Sequence, residues 1–444
     1  MKLKITELSE ALPALKKSPI IIAYAALYLL AALFLIFNFR FIDAVAPWFA
    51  DPASYMAASY QVEHGVPDMV RTPVLPLIIA ALRALFGVEH QTMALAVTQS
   101  TVFFISIIYL QRLLTRLKVR PLLCFLATAV YGIFSGINLY CITILTESFT
   151  ISFIIFWLWA LLRDFPEAPG ARSWLASGLW LMLLIFLKPA MLCLLPVYII
   201  YLGFLWWKNL NFSGASKAIA AGWLLVIGLS LVSYRQAMTS RYGIHTISSV
   251  SIVNNYCTAR ETHAIRARHA ANPLLKKFLS EYEDADIYTA PETLGYAEQT
   301  YLMDHLHISA ADLEQAVNAA FAENFVSMLR TIPTRMKNAS GYYLLPLPNV
   351  GIWAYLNFTL SFRIYSYMFF MAVAFVWLLR RQGSIFIWLL WLVSASVFTC
   401  SIVGAMSEWN RLNMPGFPAA LILLCVILNT LRSDPHKLSI YESN

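Results

Sequence analysis

The chain has 444 residues, of which 59% are hydrophobic and 13% charged, and its mean hydropathy is +0.65. A soluble domain carries about a quarter of its residues as charges, so this composition excludes a water-soluble enzyme, a disordered chain and a fibrous one. It defines an all-α polytopic membrane protein. Lys and Arg number 32 against 24 Asp and Glu, a balance of +8. In a membrane protein such an excess gathers in cytoplasmic loops, so it does not indicate nucleic-acid binding. The six cysteines (Cys124, Cys141, Cys193, Cys257, Cys400 and Cys425) lie mostly inside apolar runs with no CxxC pair, which speaks against a disulfide framework or a zinc site.

The basic N-terminus precedes an apolar run from Ile20 to Phe39. No small-residue cleavage site follows it, so a retained span is expected rather than a cleaved signal. Further apolar runs occupy 91–111, 121–138, 148–163, 174–187, 190–207, 218–236, 362–380, 384–403 and 412–431. On the ~20-residue criterion they make about ten transmembrane helices. The stretch Pro73 to Phe86 is shorter and holds Arg83, which predicts an amphipathic helix lying on the outer membrane face. Lys188-Pro189 divides 174–207 into two spans meeting at an outer turn. With that division, Arg112, Arg116, Lys118, Arg120, Arg163, Arg172, Lys208, Lys217, Arg380, Arg381, Arg432 and Lys437 all fall inside, a consistent positive-inside pattern.

Three segments follow. Residues 1–236 form an N-terminal membrane module whose outer loop, 40–90, carries candidate site residues. Residues 237–350 form a small helical outer subdomain, with a helical run from Ala310 to Leu329. Residues 351–444 supply the last membrane helices. Both termini are expected in the cytoplasm, and the compact chain fits a bacterial inner membrane. No internal repeat is evident.

Ionisable groups at membrane depth are costly and are functional candidates by default. The topology sends Asp51, Arg71, Glu147, Lys188, Glu408 and Arg411 to one side. Each also has a structural reading. Asp51 would cap a short helix, Ser54 to Tyr60. Glu147 would gain from a helix dipole. Lys188 would snorkel to the headgroups, and Glu408 and Arg411 would pair across a helix turn. None of these explains why the charges share a side. Segment 237–350 sets Arg241, Arg260, Arg266, Arg268, Lys276 and Lys277 before Glu281, Glu283, Asp284 and Asp286, either a solvated surface of mixed charge or a recognition surface for an anionic glycan. The histidines, including His263, His269, His305 and His307, lack the spacing of a metal site.

The run ADPASYMAASYQVEHGVPDMVRTPVLPLIIAALRALFG resembles the first outer loop of GT-C membrane glycosyltransferases, above all glycosyltransferase family 39 and the aminoarabinose transferase of lipid A. The residues that carry the likeness are Asp51, Tyr55, Arg71, Pro73, Pro76 and Phe86-Gly87. Leu145-Thr146-Glu147 is similar to the family's opening of its fourth span. Glu408-Trp409-Asn410-Arg411 with Pro415 and Pro418 is similar to its late motif. Pro52 stands where many relatives have a second acid, and Leu412 where a Tyr is expected.

The resemblance implies a GT-C-like fold and an enzyme that moves a sugar from a polyprenyl-phosphate carrier to a glycan, glycolipid or protein acceptor. The site then faces the periplasm, in contact with membrane lipids. No P-loop or GxGxxG fingerprint is present, as expected for a lipid-phosphate donor. Asp51 is the candidate general base, and Glu147 is the second catalytic candidate, to orient the sugar hydroxyls or help hold a divalent ion. Arg411, Lys188 and Arg71 are candidates for the donor phosphate, with Glu408 and Tyr55 as substrate contacts. A divalent cation (Mg or Mn) stays open as a cofactor. The rival readings are an O-antigen polymerase or ligase, which relies on outer-loop Arg and His, and a transporter or flippase for a lipid-linked sugar, whose charges belong near the bilayer midplane.

Overall fold

The computed structural model describes residues 19–45, 51–133, 138–164, 167, 169–207, 213–283, 302–303, 306–339, 364–381, 385–404 and 414–431. Among them every regular element is helical. The helices are α1 (Pro19–Asn38), α2 (Asp51–Glu63), α3 (Val74–Phe86), α4 (Gln91–Arg116), α5 (Pro121–Ile133), α6 (Glu147–Leu162), α7 (Ala171–Leu187), α8 (Leu194–Trp207), α9 (Gly214–Tyr242), α10 (Ser249–Glu261), α11 (Pro273–Glu281), α12 (Ala310–Ala339), α13 (Ile364–Arg381), α14 (Ile385–Gly404) and α15 (Phe417–Leu431).

A helix lies over each of the ten apolar runs. Among the described residues five segments are long and apolar enough to cross a membrane: Ile20–Phe41, Gln91–Arg116, Pro189–Trp207, Gly214–Tyr242 and Met414–Leu431. The remaining runs form shorter apolar helices. The chain is therefore a multi-pass membrane protein.

Helix α6 is the axis of the bundle. Every residue in it except Trp159 is buried, the signature of a helix apolar on all sides. It packs against α4, α7 and α15. Helix α4 turns Leu95, Gln99, Phe103, Ile107, Leu110 and Leu114 inward, the three-to-four spacing of one helical face. Helices α7 and α9 meet at Gly178, where an added Cβ would fall within the indole of Trp223. A small residue is what lets two membrane helices approach this closely.

The local sequence explains where helices begin and end. Lys188 precedes Pro189 and is extended (φ −144°, ψ 110°), as the residue before a proline prefers. Helix α7 stops there, and a 3-10 turn, Pro189–Cys193, leads into α8. Ser213 caps α9 by accepting from the Ser216 amide at 3.2 Å. Gly243 (φ +71°) ends α9 in a left-handed conformation, a common helix stop.

The expected span 121–138 is helical over Pro121–Ile133 and at Asn138, with 134–137 outside the described residues. The 3-10 turn Leu139–Ile142 and the stretch up to Thr146 are non-helical and buried. Backbone of that kind survives at membrane depth only where protein satisfies it. Here Gln99 Nε2 donates to Thr143 O at 3.0 Å and Asn138 Nδ2 to Gly132 O at 3.0 Å.

A second hydrophobic cluster gathers Met238, Ile244, Ile252, Tyr256, Leu275, Phe278, Leu313 and Val317. It unites the end of α9 with α10, α11 and α12, apart from the main core. The basic and acidic groups of this region largely satisfy one another. Arg266 pairs with Glu283 at 2.7 Å and Arg268 with Glu323. His269 Nε2 lies 2.8 Å from Glu323, and buried Arg260 donates to Tyr282 O at 2.9 Å. Hydrogen bonds from His269 and then Arg268 hold the Glu323 carboxyl below its usual value.

Candidate active site

Helix α2 begins at Asp51 and runs to Glu63, longer than the expected Ser54 to Tyr60, so Asp51 is the first residue of the helix. Its carboxylate Oδ1 accepts from Arg71 Nη2. Arg71 Nε donates to Ser54 Oγ at 2.7 Å, and the guanidinium stands 4.2 Å from the centre of the Tyr55 ring. One arginine thus ties three side chains on consecutive turns of α2. Arg71 is itself placed by Asp68, whose Oδ1 accepts from the Val70 and Arg71 amides at 2.8 and 2.6 Å. The next residue, Thr72, donates to Leu187 O at 3.2 Å, which joins this loop to the end of α7.

Glu147 opens α6, where a carboxylate gains from the exposed amides of the first turn. Lys188, at the end of α7, donates to Glu147 Oε1 at 3.0 Å. The Glu147 side chain is 2% exposed and that of Lys188 10%. Lys188 therefore does not snorkel to a surface; it points inward because a buried carboxylate receives it.

Tyr55 links the two ion pairs. It is buried, and it feels both Glu147 and Asp51 electrostatically. Burial lifts its phenol above the ordinary value of 10; both carboxylates add to the rise and Arg71 opposes it. Tyr55 is thus held neutral in the field of two charged pairs. Asp51, Tyr55, Arg71, Glu147 and Lys188, drawn from three distant stretches of sequence, form one cluster. Glu408 and Arg411 lie outside the described residues.

Several residues of this neighbourhood carried no signal in the sequence. Asp68 looks like any loop acid. Arg83, expected on an amphipathic face, is buried near the end of α3. It pairs with Glu63 at 2.7 Å, donates to Ser59 at 2.7 Å and stacks on the Tyr60 ring at 3.6 Å. This second ion pair fastens α3 to α2 and so fixes the helix that carries Asp51. The Asp51–Arg71 loop also meets the second cluster: Tyr242, Ser248 and Ser249 all bond its backbone.

A divalent cation of the magnesium class needs several oxygen ligands. Asp51 and Glu147 each already hold a cation, Arg71 and Lys188. Among the described residues no three His, Cys, Asp or Glu side chains gather in a ligand set. The described side chains alone thus supply no such ligand set.

No family model matches the sequence, and no curated protein matches it. Among solved structures the chain is similar to the archaeal oligosaccharyltransferase AglB from Archaeoglobus fulgidus in complex with an inhibitory peptide and a dolichol-phosphate. The TM-score is 0.47 and the identity 12%, over 94% of this chain and 51% of that one. It is similar also to the A. fulgidus oligosaccharyltransferase in complex with zinc and sulfate, at TM-score 0.47 and 12% identity, over 93% of this chain and 49% of that one. The chain spans about half the length of these proteins. At that TM-score the likeness is loose, and the functional conclusion stands on this chain's own residues.

Proposed function

We propose that the chain is a membrane glycosyltransferase of the GT-C kind, moving a sugar from a polyprenyl-phosphate carrier to a glycan, glycolipid or protein acceptor. The observation that carries this is the cluster itself. The loop that carries the motif residues Asp51, Tyr55 and Arg71 is joined, through Thr72 donating to Leu187 O, to the end of the helix where Lys188 meets Glu147. The full topology belongs to the same proposal: ten spans, both termini in the cytoplasm of a bacterial inner membrane, the cluster on the periplasmic side, and 237–350 as an outer subdomain above it.

In this scheme the acceptor hydroxyl attacks the anomeric carbon and gives its proton to Asp51. The bond from that carbon to the phosphate oxygen breaks, and its electron pair leaves on polyprenyl phosphate. Arg71 holds the Asp51 carboxylate in place and lends a fixed positive charge beside the departing phosphate. A guanidinium suits both tasks because its planar fork binds carboxylate and phosphate alike. Arg411 is proposed to share the phosphate. Glu147 keeps Lys188 oriented, Tyr55 donates from its neutral phenol, and Glu408 contacts the sugar. A single displacement with one base inverts the anomeric centre.

Two observations weigh against the rivals. The Arg and His side chains of 266–269 are engaged with acids of their own subdomain, where a polymerase or ligase would present them to substrate. No internal repeat is evident in the sequence, whereas a transporter holds its charges at a repeat interface near the bilayer midplane.

The test uses the purified chain in nanodiscs, supplied with a panel of polyprenyl-phosphate sugars and an envelope lipid extract as acceptor. Release of polyprenyl phosphate is followed by mass spectrometry. The wild type releases it, and Asp51→Asn slows release by about 10²–10⁴-fold, the usual weight of a general base. Equal release by the two proteins, with equal folding, would overturn the proposal.

A further inference from the structure

Arg71 stands on a loop that is held from outside by a different part of the chain. Ser248 Oγ, buried, donates to Val70 O at 2.5 Å. The Ser249 amide donates to Met69 O at 2.8 Å. Tyr242 Oη donates to Pro67 O at 2.8 Å and reaches Gln61 Oε1, on α2, at 3.4 Å. Three carbonyls in the four residues before Arg71 are therefore taken up by donors between Tyr242 and Ser249. The amides of Val70 and Arg71 are bound by Asp68. A loop with carbonyls and amides both bound has little freedom left, and the direction of the Arg71 side chain follows from it.

We infer that Ser248, with Tyr242, is a positioning residue that sets Arg71 against Asp51 and Tyr55, so that the segment following α9 controls the geometry of the candidate active site. The functional part of this inference rests on the glycosyltransferase reading; the tether itself does not. Ser248 is also the N-cap of α10, where its Oγ accepts from the Val250 amide at 3.2 Å. One hydroxyl thus caps a helix as an acceptor and tethers the loop as a donor. The two roles separate by chemistry: an aspartate accepts but does not donate, and a threonine does both.

The experiment compares Ser248→Thr, Ser248→Asp and Ser248→Ala with wild type in nanodiscs, by two readouts. The first is hydrogen exchange at the Val70 and Arg71 amides, which needs no activity. Exchange speeds up by about tenfold or more in the Asp and Ala variants and stays as in wild type with Thr, as for a protected amide whose local support opens. The second is steady-state release of polyprenyl phosphate. The Asp and Ala variants lose on the order of 10–100-fold in kcat/KM, the scale of misplaced reacting groups, and Thr restores it. If Ser248→Asp exchanges and turns over as wild type does, capping alone explains Ser248 and the inference is overturned. If exchange responds as expected but even wild type releases no polyprenyl phosphate, the glycosyltransferase reading fails while the tether stands.

Discussion

Replacing Lys188 by Met separates a buried ion pair from a surface one. The Lys188 ammonium lies 3.0 Å from Glu147 Oε1, with both side chains nearly closed to solvent. At that separation and an effective dielectric of ~20, the Coulomb attraction is about 5–6 kcal/mol. Removing one partner of a buried pair typically costs ~3–5 kcal/mol, because the other charge stays behind without its counterion. Lys188→Met should therefore destabilise the chain by about 3–5 kcal/mol. Lys277 offers the contrast. It faces Glu281 at 3.9 Å, and both side chains are more than half exposed, so Lys277→Ala should cost no more than ~0.5 kcal/mol. The assay is reversible denaturant unfolding in mixed micelles, followed by tryptophan fluorescence. The double change Lys188→Met with Glu147→Leu should recover most of the lost stability, because an apolar pair of similar volume replaces the ions at little net cost, while transfer activity stays lost. Equal stability of Lys188→Met and Lys277→Ala would refute the buried pair.

Three further outcomes follow from the same geometry. Arg71→Lys keeps a positive charge but loses the donor fork shared between Asp51 and Ser54 and the stacking on Tyr55; release of polyprenyl phosphate should fall at least tenfold while the unfolding free energy drops by no more than ~2 kcal/mol, since a stacked cation contributes ~0.5–2 kcal/mol. Tyr55 has its phenol raised above 10, so it contributes stability that is whole below the unfolded value and drains away as pH climbs from 10 towards the folded value; between pH 9 and 11 the unfolding midpoint of wild type should fall more steeply than that of Tyr55→Phe. Gly178→Leu should separate α7 from α9, because even a Cβ there meets the Trp223 ring; a cost of ~1–3 kcal/mol is expected from overpacking, read by the same denaturant assay.

What the sequence revealed and what it hid divide along the range of the interactions. Apolar runs place helices because hydrophobicity is a local property, and Pro189 marked the end of α7 because a proline constrains its immediate neighbour. The Asp51, Tyr55 and Arg71 pattern was visible because three turns of one helix and its loop hold the group together. Arg83 was misleading: a charge in an apolar stretch suggests an interfacial face, yet Glu63 and Tyr60 bury it through contacts made only when α3 folds back on α2. Lys188 suggested a headgroup anchor or a phosphate contact, and its partner stands 41 residues away at the start of α6. Ser248 and Tyr242 gave no signal, since what they hold is backbone, and backbone carbonyls have no sequence.

The most direct measurement is photocrosslinking with a polyprenyl phosphate carrying a diazirine beside its phosphate, in nanodiscs, with peptides mapped by mass spectrometry. Label should fall on the stretches around Asp51 to Arg71 and Thr146 to Lys188, and unmodified polyprenyl-phosphate sugar should compete it away. Label confined to the loops at 117–121 and 163–172, or label that no donor displaces, would contradict the account.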